Sequence, residues 1–369
     1  MKITAAVVDE KSAPFELREL ELEGPRSDEV LVRIVATGIC QTDLHVRDQE
    51  YPVPLPAVLG HEGAGVVEAV GGRVSSVAPG DHVILSYQAC GQCRPCLLGR
   101  YSYCERGFEA NFGGARLDGS NGLRHDGAGR HVHGHFFGQS SFATYSLATE
   151  RNVVKVPRDV PLELLGPLGC GLQTGAGAVL NSLKLGAGAS LAVFGSGAVG
   201  LAAIMAAKIA GAHPIVAVDV NPKRLELAAE LGASHVLDAR DVDLRDALAA
   251  IVPRGLDFVL EITARPEMLK TAVDALAPLG TAALIGGAPL GTEAPIDMNN
   301  LLFGRTVRGI VQGDSIPQLF VPQLIELYRA GHFPFDRLVR FYEFDEINEA
   351  VADTRSGATI KPILRMSAA

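Results

Sequence analysis

From Met1 to about Cys170 the apolar residues come in short alternating runs broken by Gly and Pro: EVLVRIVATGI at 29–39, GAGVVEAVGG at 63–72, GDHVILSY at 80–87 and SFATYSLA at 141–148. A period of two puts one face of an extended strand inside, and turn residues at such intervals predict a partly open β-barrel or sandwich. Past residue 172 the texture changes to apolar strands separated by helical stretches. The strands are SLAVFG (190–195), PIVAVD (214–219), HVLDA (235–239), LDFVLEI (256–262), GTAALIG (280–286) and RTVRGIV (305–311). Six apolar strands with helical crossovers predict an α/β doubly wound parallel sheet.

Two of the intervening helices are well marked. AVGLAAIMAAKIA is closed by Gly211; NPKRLELAAEL has Asn221 as N-cap, Pro222 at its first position and Gly232 just past its end. The last segment, from IPQLF onward, ends in TIKPILRM and is expected to return to the first domain. The expected division is therefore 1–171 with 314–369 as a β-rich domain and 172–313 as the doubly wound domain. A chain of 369 residues is long enough for two cores.

Composition narrows the partners. Apolar residues make up 47% and charged ones 20%, with a net charge of −9 and no Lys/Arg run, which argues against nucleic acid or an anionic membrane. The stretch at 191–212 is long enough to span a bilayer. Its four glycines and Lys208 instead suit a buried strand, turn and helix. At the N-terminus, Asp9 and Glu10 interrupt the chain before an apolar stretch reaches signal-peptide length, so a cytoplasmic protein is expected.

The first strand of the predicted sheet runs into Gly195-Ser196-Gly197-Ala198-Val199-Gly200, a G-x-G-x-x-G. The pattern alone is weak in a chain with 41 glycines. Here it follows a strand, opens a helix and is answered by Asp219 at the end of the next strand, the context that a dinucleotide-binding turn requires. The glycines let the backbone approach a pyrophosphate at the helix N-terminus. A carboxylate at Asp219 accepts from the ribose hydroxyls and repels a 2′-phosphate, so NAD is expected over NADP.

Four of the six cysteines, Cys90, Cys93, Cys96 and Cys104, fall in the spacing C-x2-C-x2-C-x7-C. Disulfides are disfavoured in a reducing compartment. Ferredoxin motifs share the first half of this spacing but continue x3-C-P, whereas here Cys104 follows seven residues later and precedes Glu105. Four thiolates without an open position favour a structural zinc over an iron–sulfur cluster. The remaining cysteines, Cys40 and Cys170, with His61 of the GHE at 60–62, would supply the three-ligand set of a catalytic zinc. Taken singly, each is more often a buried cysteine or a loop histidine.

With these residues assembled, the chain resembles the zinc-containing medium-chain alcohol dehydrogenases over almost its whole length. The resemblance lies in GICQTDLH (38–45), GHEGAG (60–65), the four-cysteine lobe, GQSSFA (138–143), GCGLQTG (169–175) and the glycine turn with Asp219. It implies a GroES-like catalytic domain, carrying the lobe at 90–104, beside a Rossmann NAD-binding domain, with two zinc ions per chain. Residue by residue, Cys40, His61 and Cys170 resemble the catalytic zinc ligands, and Glu62 the carboxylate that approaches the metal when ligands exchange. Asp43 resembles the partner that orients His61, and Thr42 and His45 the proton relay; the histidine side chain, titrating ordinarily near 6.5, suits proton release near neutrality. Thr174 and Val199 match positions that press on the nicotinamide, Arg224 a basic position near the adenosine ribose, and Lys361 a residue that reaches the pyrophosphate. The implied chemistry is hydride transfer from an alcohol to the nicotinamide, with zinc as Lewis acid.

Gln41 stands where many relatives carry Arg or His, which removes one charged contact with the pyrophosphate and favours faster NADH release. Ser86 and Tyr87 stand where the family places a bulky pocket residue. The detailed resemblance, LSYQACGQCRPC and GHFFGQSSFATYS included, is to aryl-alcohol dehydrogenases of the benzyl alcohol and geraniol type. The expected reaction is reversible oxidation of a primary aromatic or allylic alcohol, such as cinnamyl alcohol, to the aldehyde. Within the family the alternatives are an S-(hydroxymethyl)glutathione (formaldehyde) dehydrogenase or a general aliphatic alcohol dehydrogenase. Outside it stand an iron–sulfur electron-transfer protein and a non-enzymatic binding protein. His131, His133 and His135 are expected to be an adventitious cluster and not a third metal site, because no cysteine or carboxylate completes them. The long segment between Cys104 and Phe136 resembles that of dimeric members of the family, which implies a homodimer, with a tetramer as the alternative.

Overall fold

The alternating run at 29–39 forms strand Glu29–Gly38 of a seven-stranded sheet in this computed structural model, which describes residues 1–124 and 131–366. Gly63–Val70 pairs antiparallel along one edge of that strand, and Tyr145–Thr149 and the C-terminal strand Lys361–Arg365 also pair with it. His82–Leu85, Val153–Lys155 and Val339–Glu343 complete the sheet. The inward positions of the alternation, Val30, Val32, Ile34, Val67, Val83 and Leu85, meet in one buried cluster. A three-stranded sheet of Glu16–Glu21, Lys2–Val8 and Ala57–Val58 contributes to a second cluster, with Phe15, Leu59 and Phe142. Each such aliphatic side chain contributes roughly 1.5–3 kcal/mol on burial.

These strands belong to a first unit, Met1–Cys170 with Ile316–Ile325 and Asp336–Ala369; the second is Gly171–Ser315 with Glu326–Phe335. The sequence assigns everything after 314 to the first domain. Residues Glu326–Phe335 instead group with the second unit, where the rings of Tyr328, Phe333 and Phe335 pack on one another.

The second unit carries a six-stranded, wholly parallel sheet. Across the sheet its strands run His235–Asp238, Ile215–Asp219, Leu191–Phe194, Leu256–Glu261, Leu276–Leu284 and Thr306–Gly309. The chain therefore starts in the middle and winds outward in both directions, the order that leaves a crevice at the carboxyl ends of the central strands. Helix Pro222–Leu231 starts with Asn221 accepting from Lys223 N at 3.1 Å and ends at Gly232. Helix Ala198–Ile209 is buried from Gly200 to Ala207, so the apolar stretch that resembled a membrane span is core. Among the described residues no helix is long and apolar enough to cross a membrane.

Candidate active site

Sheet register gathers the first cluster. Thr37 pairs with Gly63, and Gly38 with Ile363, so the residues just beyond these pairs, Cys40, Glu62 and Lys361, come together. Helix Gln41–Arg47 begins at Cys40, whose backbone N–H donates to Asp43 Oδ2 at 2.9 Å. The other oxygen, Oδ1, accepts from Gly60 N at 3.1 Å and from His61 Nδ1 at 2.9 Å. One buried carboxylate thus fixes the backbone at Cys40 and the ring of His61. With Nδ1 donating, Nε2 is left as the electron-pair donor. That atom is buried and has no hydrogen-bond partner, as a ligand atom awaiting a cation would be.

Glu62 follows His61 in the chain. A side chain at residue 38 would collide with it, since a Cβ there would lie 2.0 Å from Glu62 Oε2; glycine makes the room. Both Glu62 oxygens accept from Lys361 Nζ at 2.9 Å, and Lys361 also donates to Ile39 O at 3.2 Å. Cys170 follows the tight turn Gly166–Gly169 and completes the group. The ligand atoms of Cys40, His61, Glu62 and Cys170 all lie within 4.8 Å of one another. The resemblance aims Lys361 at the coenzyme pyrophosphate; in the structure its ammonium is buried against Glu62.

The electrostatics fit a divalent cation. A hydrogen bond from Cys170 holds the Cys40 thiol well below its ordinary range against the cost of burial, while the same contact and burial push Cys170 up. Burial opposes a charge on His61, but Asp43 outweighs it and pushes the imidazole up. Burial raises Glu62 against the pull of Lys361, and Lys361 is itself raised because Glu62 outweighs its own desolvation. With Lys361 neutralising Glu62, two thiolates remain to balance the charge of Zn²⁺, and a neutral imidazole completes three ligands.

The lobe holds the second group. The Sγ atoms of Cys90, Cys93, Cys96 and Cys104 also lie within 4.8 Å of one another. Cys90 N donates to Cys104 Sγ at 3.3 Å and Glu105 N to Cys93 Sγ at 3.4 Å, the backbone contacts that support thiolates. Burial works against the Cys90 thiolate, yet the backbone donors of Gln92 and Cys93 bring it to about 6; burial and Cys93 push Cys96 up to about 12. The chain thus has two candidate zinc sites, one of four cysteines and one of two cysteines, a histidine and a glutamate.

Among the described residues the histidine run does not make a third. His135 is buried, its Nε2 accepts from Gly122 N at 2.9 Å, and burial followed by Arg116 and Arg26 holds it down at about 3. His131 and His133 pack edge to face with centroids 4.7 Å apart. Among the described residues only the two groups above have metal-binding geometry.

In the second unit, Gly195 adopts φ 101° and Gly200 approaches so closely that a Cβ there would lie 1.9 Å from Gly195 O. A Cβ on Gly197, at the N-cap of helix Ala198–Ile209, would meet nothing, so that side of the turn is open to a phosphate. Asp219 Oδ2 accepts from Ser196 N at 2.7 Å, and Oδ1 from Val220 N at 2.8 Å and Asn221 N at 2.9 Å. Val199 lies in the first turn of the same helix, and Thr174 in Gly171–Gly177, which packs on it at Gly175. Arg224, in helix Pro222–Leu231, has a buried Nε without a hydrogen-bond partner. The residues present fit a dinucleotide.

Beside the metal cluster, Thr42 Oγ1 is 3.8 Å from Cys40 Sγ, and His45 stands one turn further along the helix, hydrogen-bonded through Nδ1 to Glu50. Gln41 is exposed at the helix start. The ring of Phe137 stacks on His61 at 4.4 Å, Phe136 meets the same imidazole edge-on at 5.5 Å, and Phe112 and Tyr51 continue the aromatic wall. Sequence reasoning quoted the FFG at 136–138 without giving it a role; its signal was two aromatics in a Gly-bounded turn. The residues it chose instead are Ser86 and Tyr87. Ser86 is buried, donating to Gly169 O at 2.6 Å, and Tyr87 lines a cavity of about 390 Å³ with Tyr101, Val153 and Ile316, which contains none of the cluster's ligands.

Comparison with known proteins agrees with the two units. Residues 26–158 match the alcohol dehydrogenase GroES-like domain, and 198–329 the zinc-binding dehydrogenase family. The chain is 48% identical to a geraniol dehydrogenase of Castellaniella defragrans over 98% of its own length and 96% of that protein's. Among solved structures, a benzyl alcohol dehydrogenase from Acinetobacter calcoaceticus is 52% identical with a TM-score of 0.96. An alcohol dehydrogenase zinc-binding domain protein from Burkholderia ambifaria is 57% identical with a TM-score of 0.97, and both structures are covered over 100% of each chain. The chain belongs to the zinc-containing medium-chain alcohol dehydrogenases.

Proposed function

We propose that this enzyme reversibly oxidises primary aromatic or allylic alcohols of the benzyl alcohol, cinnamyl alcohol and geraniol class to aldehydes, with NAD as coenzyme. The observation that carries the substrate class is the cluster of rings, Phe136 and Phe137 buried against His61 with Phe112 and Tyr51 beyond them, which makes this side of the site aromatic and so suits a planar apolar substrate. The named activities of two similar proteins, on geraniol and on benzyl alcohol, support the same class.

When bound, zinc supplies a Lewis acid and NAD a hydride acceptor. Cys40, His61 and Cys170 would hold the metal, with Glu62 in reserve, and Cys90, Cys93, Cys96 and Cys104 would hold the structural ion. Asp43 keeps His61 in the tautomer that leaves Nε2 free. Thr42 takes the hydroxyl proton of the alcohol and His45 passes it outward. Gly195, Gly197 and Gly200 receive the pyrophosphate; Asp219, whose carboxylate is fixed by three backbone amides, selects NAD over NADP, with Arg224 nearby. Thr174 and Val199 would bear on the nicotinamide.

The protein is further read as cytoplasmic, because both candidate zinc sites need reduced thiols. A homodimer is the proposed assembly. Its support is the strand Thr306–Gly309, at the edge of the six-stranded sheet, with Met298 and Leu302 left 82% and 80% exposed just before it.

An NAD-coupled assay across benzyl alcohol, cinnamyl alcohol, geraniol, ethanol and S-hydroxymethylglutathione tests the substrate class. The first three should exceed ethanol in kcat/KM by at least about tenfold, the scale of one or two methylenes of pocket contact. Activity confined to the glutathione adduct would overturn the proposal.

A further inference from the structure

Helix Gln41–Arg47 is followed by a turn that none of the metal ligands needs. Gln49 takes a left-handed conformation, φ 56°, which a non-glycine residue adopts only at a cost. The N–H groups of Glu50 and Tyr51 then both donate to the His45 carbonyl, at 2.8 and 3.4 Å. This reversal brings the Glu50 side chain back over the helix, where Oε2 meets His45 Nδ1 in a direct hydrogen bond. Tyr51, braced by Phe112, packs on the imidazole with centroids 5.7 Å apart. The neighbouring cations are occupied elsewhere, since Asp48 pairs with both Arg47 and Arg355. Among the described residues, His45 is the one side chain to which Glu50 is hydrogen-bonded.

We propose that Glu50 is a positioning residue for proton exit: it holds His45 with Nδ1 protonated and Nε2 free to accept, and it takes the Nδ1 proton on toward water. This rests on the reading of His45 as the outer member of the relay. As the alcohol is oxidised, its hydroxyl proton reaches His45 Nε2 and the Nδ1–H bond breaks toward Glu50 Oε2. The Glu50 carboxyl group, on an exposed side chain, gives that proton to water, and no electron moves in these steps. The imidazole, 24% exposed, regains its starting tautomer by exchange with solvent. A carboxylate is required because an amide in its place still accepts a hydrogen bond from Nδ1–H but cannot keep the proton.

The test is single-turnover oxidation of benzyl alcohol by the zinc-loaded enzyme at saturating NAD. Glu50→Gln and Glu50→Ala should slow hydride transfer about five- to tenfold with KM for the alcohol within about twofold, a modest share of what general acid–base groups contribute. The solvent deuterium isotope effect should rise, raising the imidazole buffer concentration should restore the rate, and Glu50→Asp should recover most of it. In a His45→Gln background, Glu50→Gln should change nothing further. Wild-type rates in both Glu50 variants, a slow rate insensitive to buffer, or a loss expressed in KM alone would overturn the proposal. If His45→Gln itself is as fast as wild type, the relay reading fails; if it is slow while the Glu50 variants are fast, the role of Glu50 fails alone.

Discussion

At the scale of single residues, His135 shows how position overrides type. In sequence it belongs to a histidine run that invites a metal; in the fold it is buried, left-handed at φ 59° and committed through Nε2 to Gly122. Burial and two arginines hold it at about 3, whereas an unfolded histidine titrates near 6.5. Between these values the unfolded chain binds a proton that the folded chain refuses. Stability from this residue is therefore complete above pH 6.5 and is lost as pH falls toward 3, by about 1.4 kcal/mol per unit. His135→Asn, which tolerates the left-handed backbone, should lose about 2 kcal/mol less than wild type between pH 7 and 5 in urea unfolding. Parallel losses in the two proteins would refute the assignment. Lys361 teaches the same lesson: its type suggests a phosphate contact, and only its place beside Gly38 and Ile39 shows that it neutralises Glu62.

At the scale of elements, what depended on neighbours in sequence was legible. Asn221, Pro222 and Gly232 bound a helix because capping is decided within one turn. The lobe is the converse case, since its own secondary structure is a four-residue helix, Arg94–Leu97, and a single turn, Tyr101–Tyr103. Its buried core is little more than Ala89, Cys96 and Cys104, too small to order a loop unaided. Cys104→Ser, or a chelator that strips the lobe, should therefore make 90–104 susceptible to protease and lower the thermal midpoint, while the Rossmann unit stays resistant. Limited proteolysis with zinc analysis checks this; an unchanged cleavage pattern after loss of the lobe metal would count against a structural role.

At the scale of the whole molecule, the exposed apolar residues near strand Thr306–Gly309 make assembly testable. Wild type should sediment at twice its 38.8 kDa chain mass, and Phe303→Asp, which charges an exposed ring beside that strand, should shift it toward monomer. A variant that sediments like wild type would place the interface elsewhere. By itself the sequence determined the two textures of the chain, the winding of the parallel sheet, the glycine turn with Asp219 and the four-cysteine lobe. Each of these is encoded within a few tens of residues, by periodicity, capping or spacing. Only the tertiary structure brought Cys40, His61, Glu62 and Cys170 within 4.8 Å, turned Lys361 inward, and set Phe137 against His61. Those neighbours are made by strand register, Thr37 with Gly63 and Gly38 with Ile363, and register across hundreds of residues leaves no periodic trace in the chain.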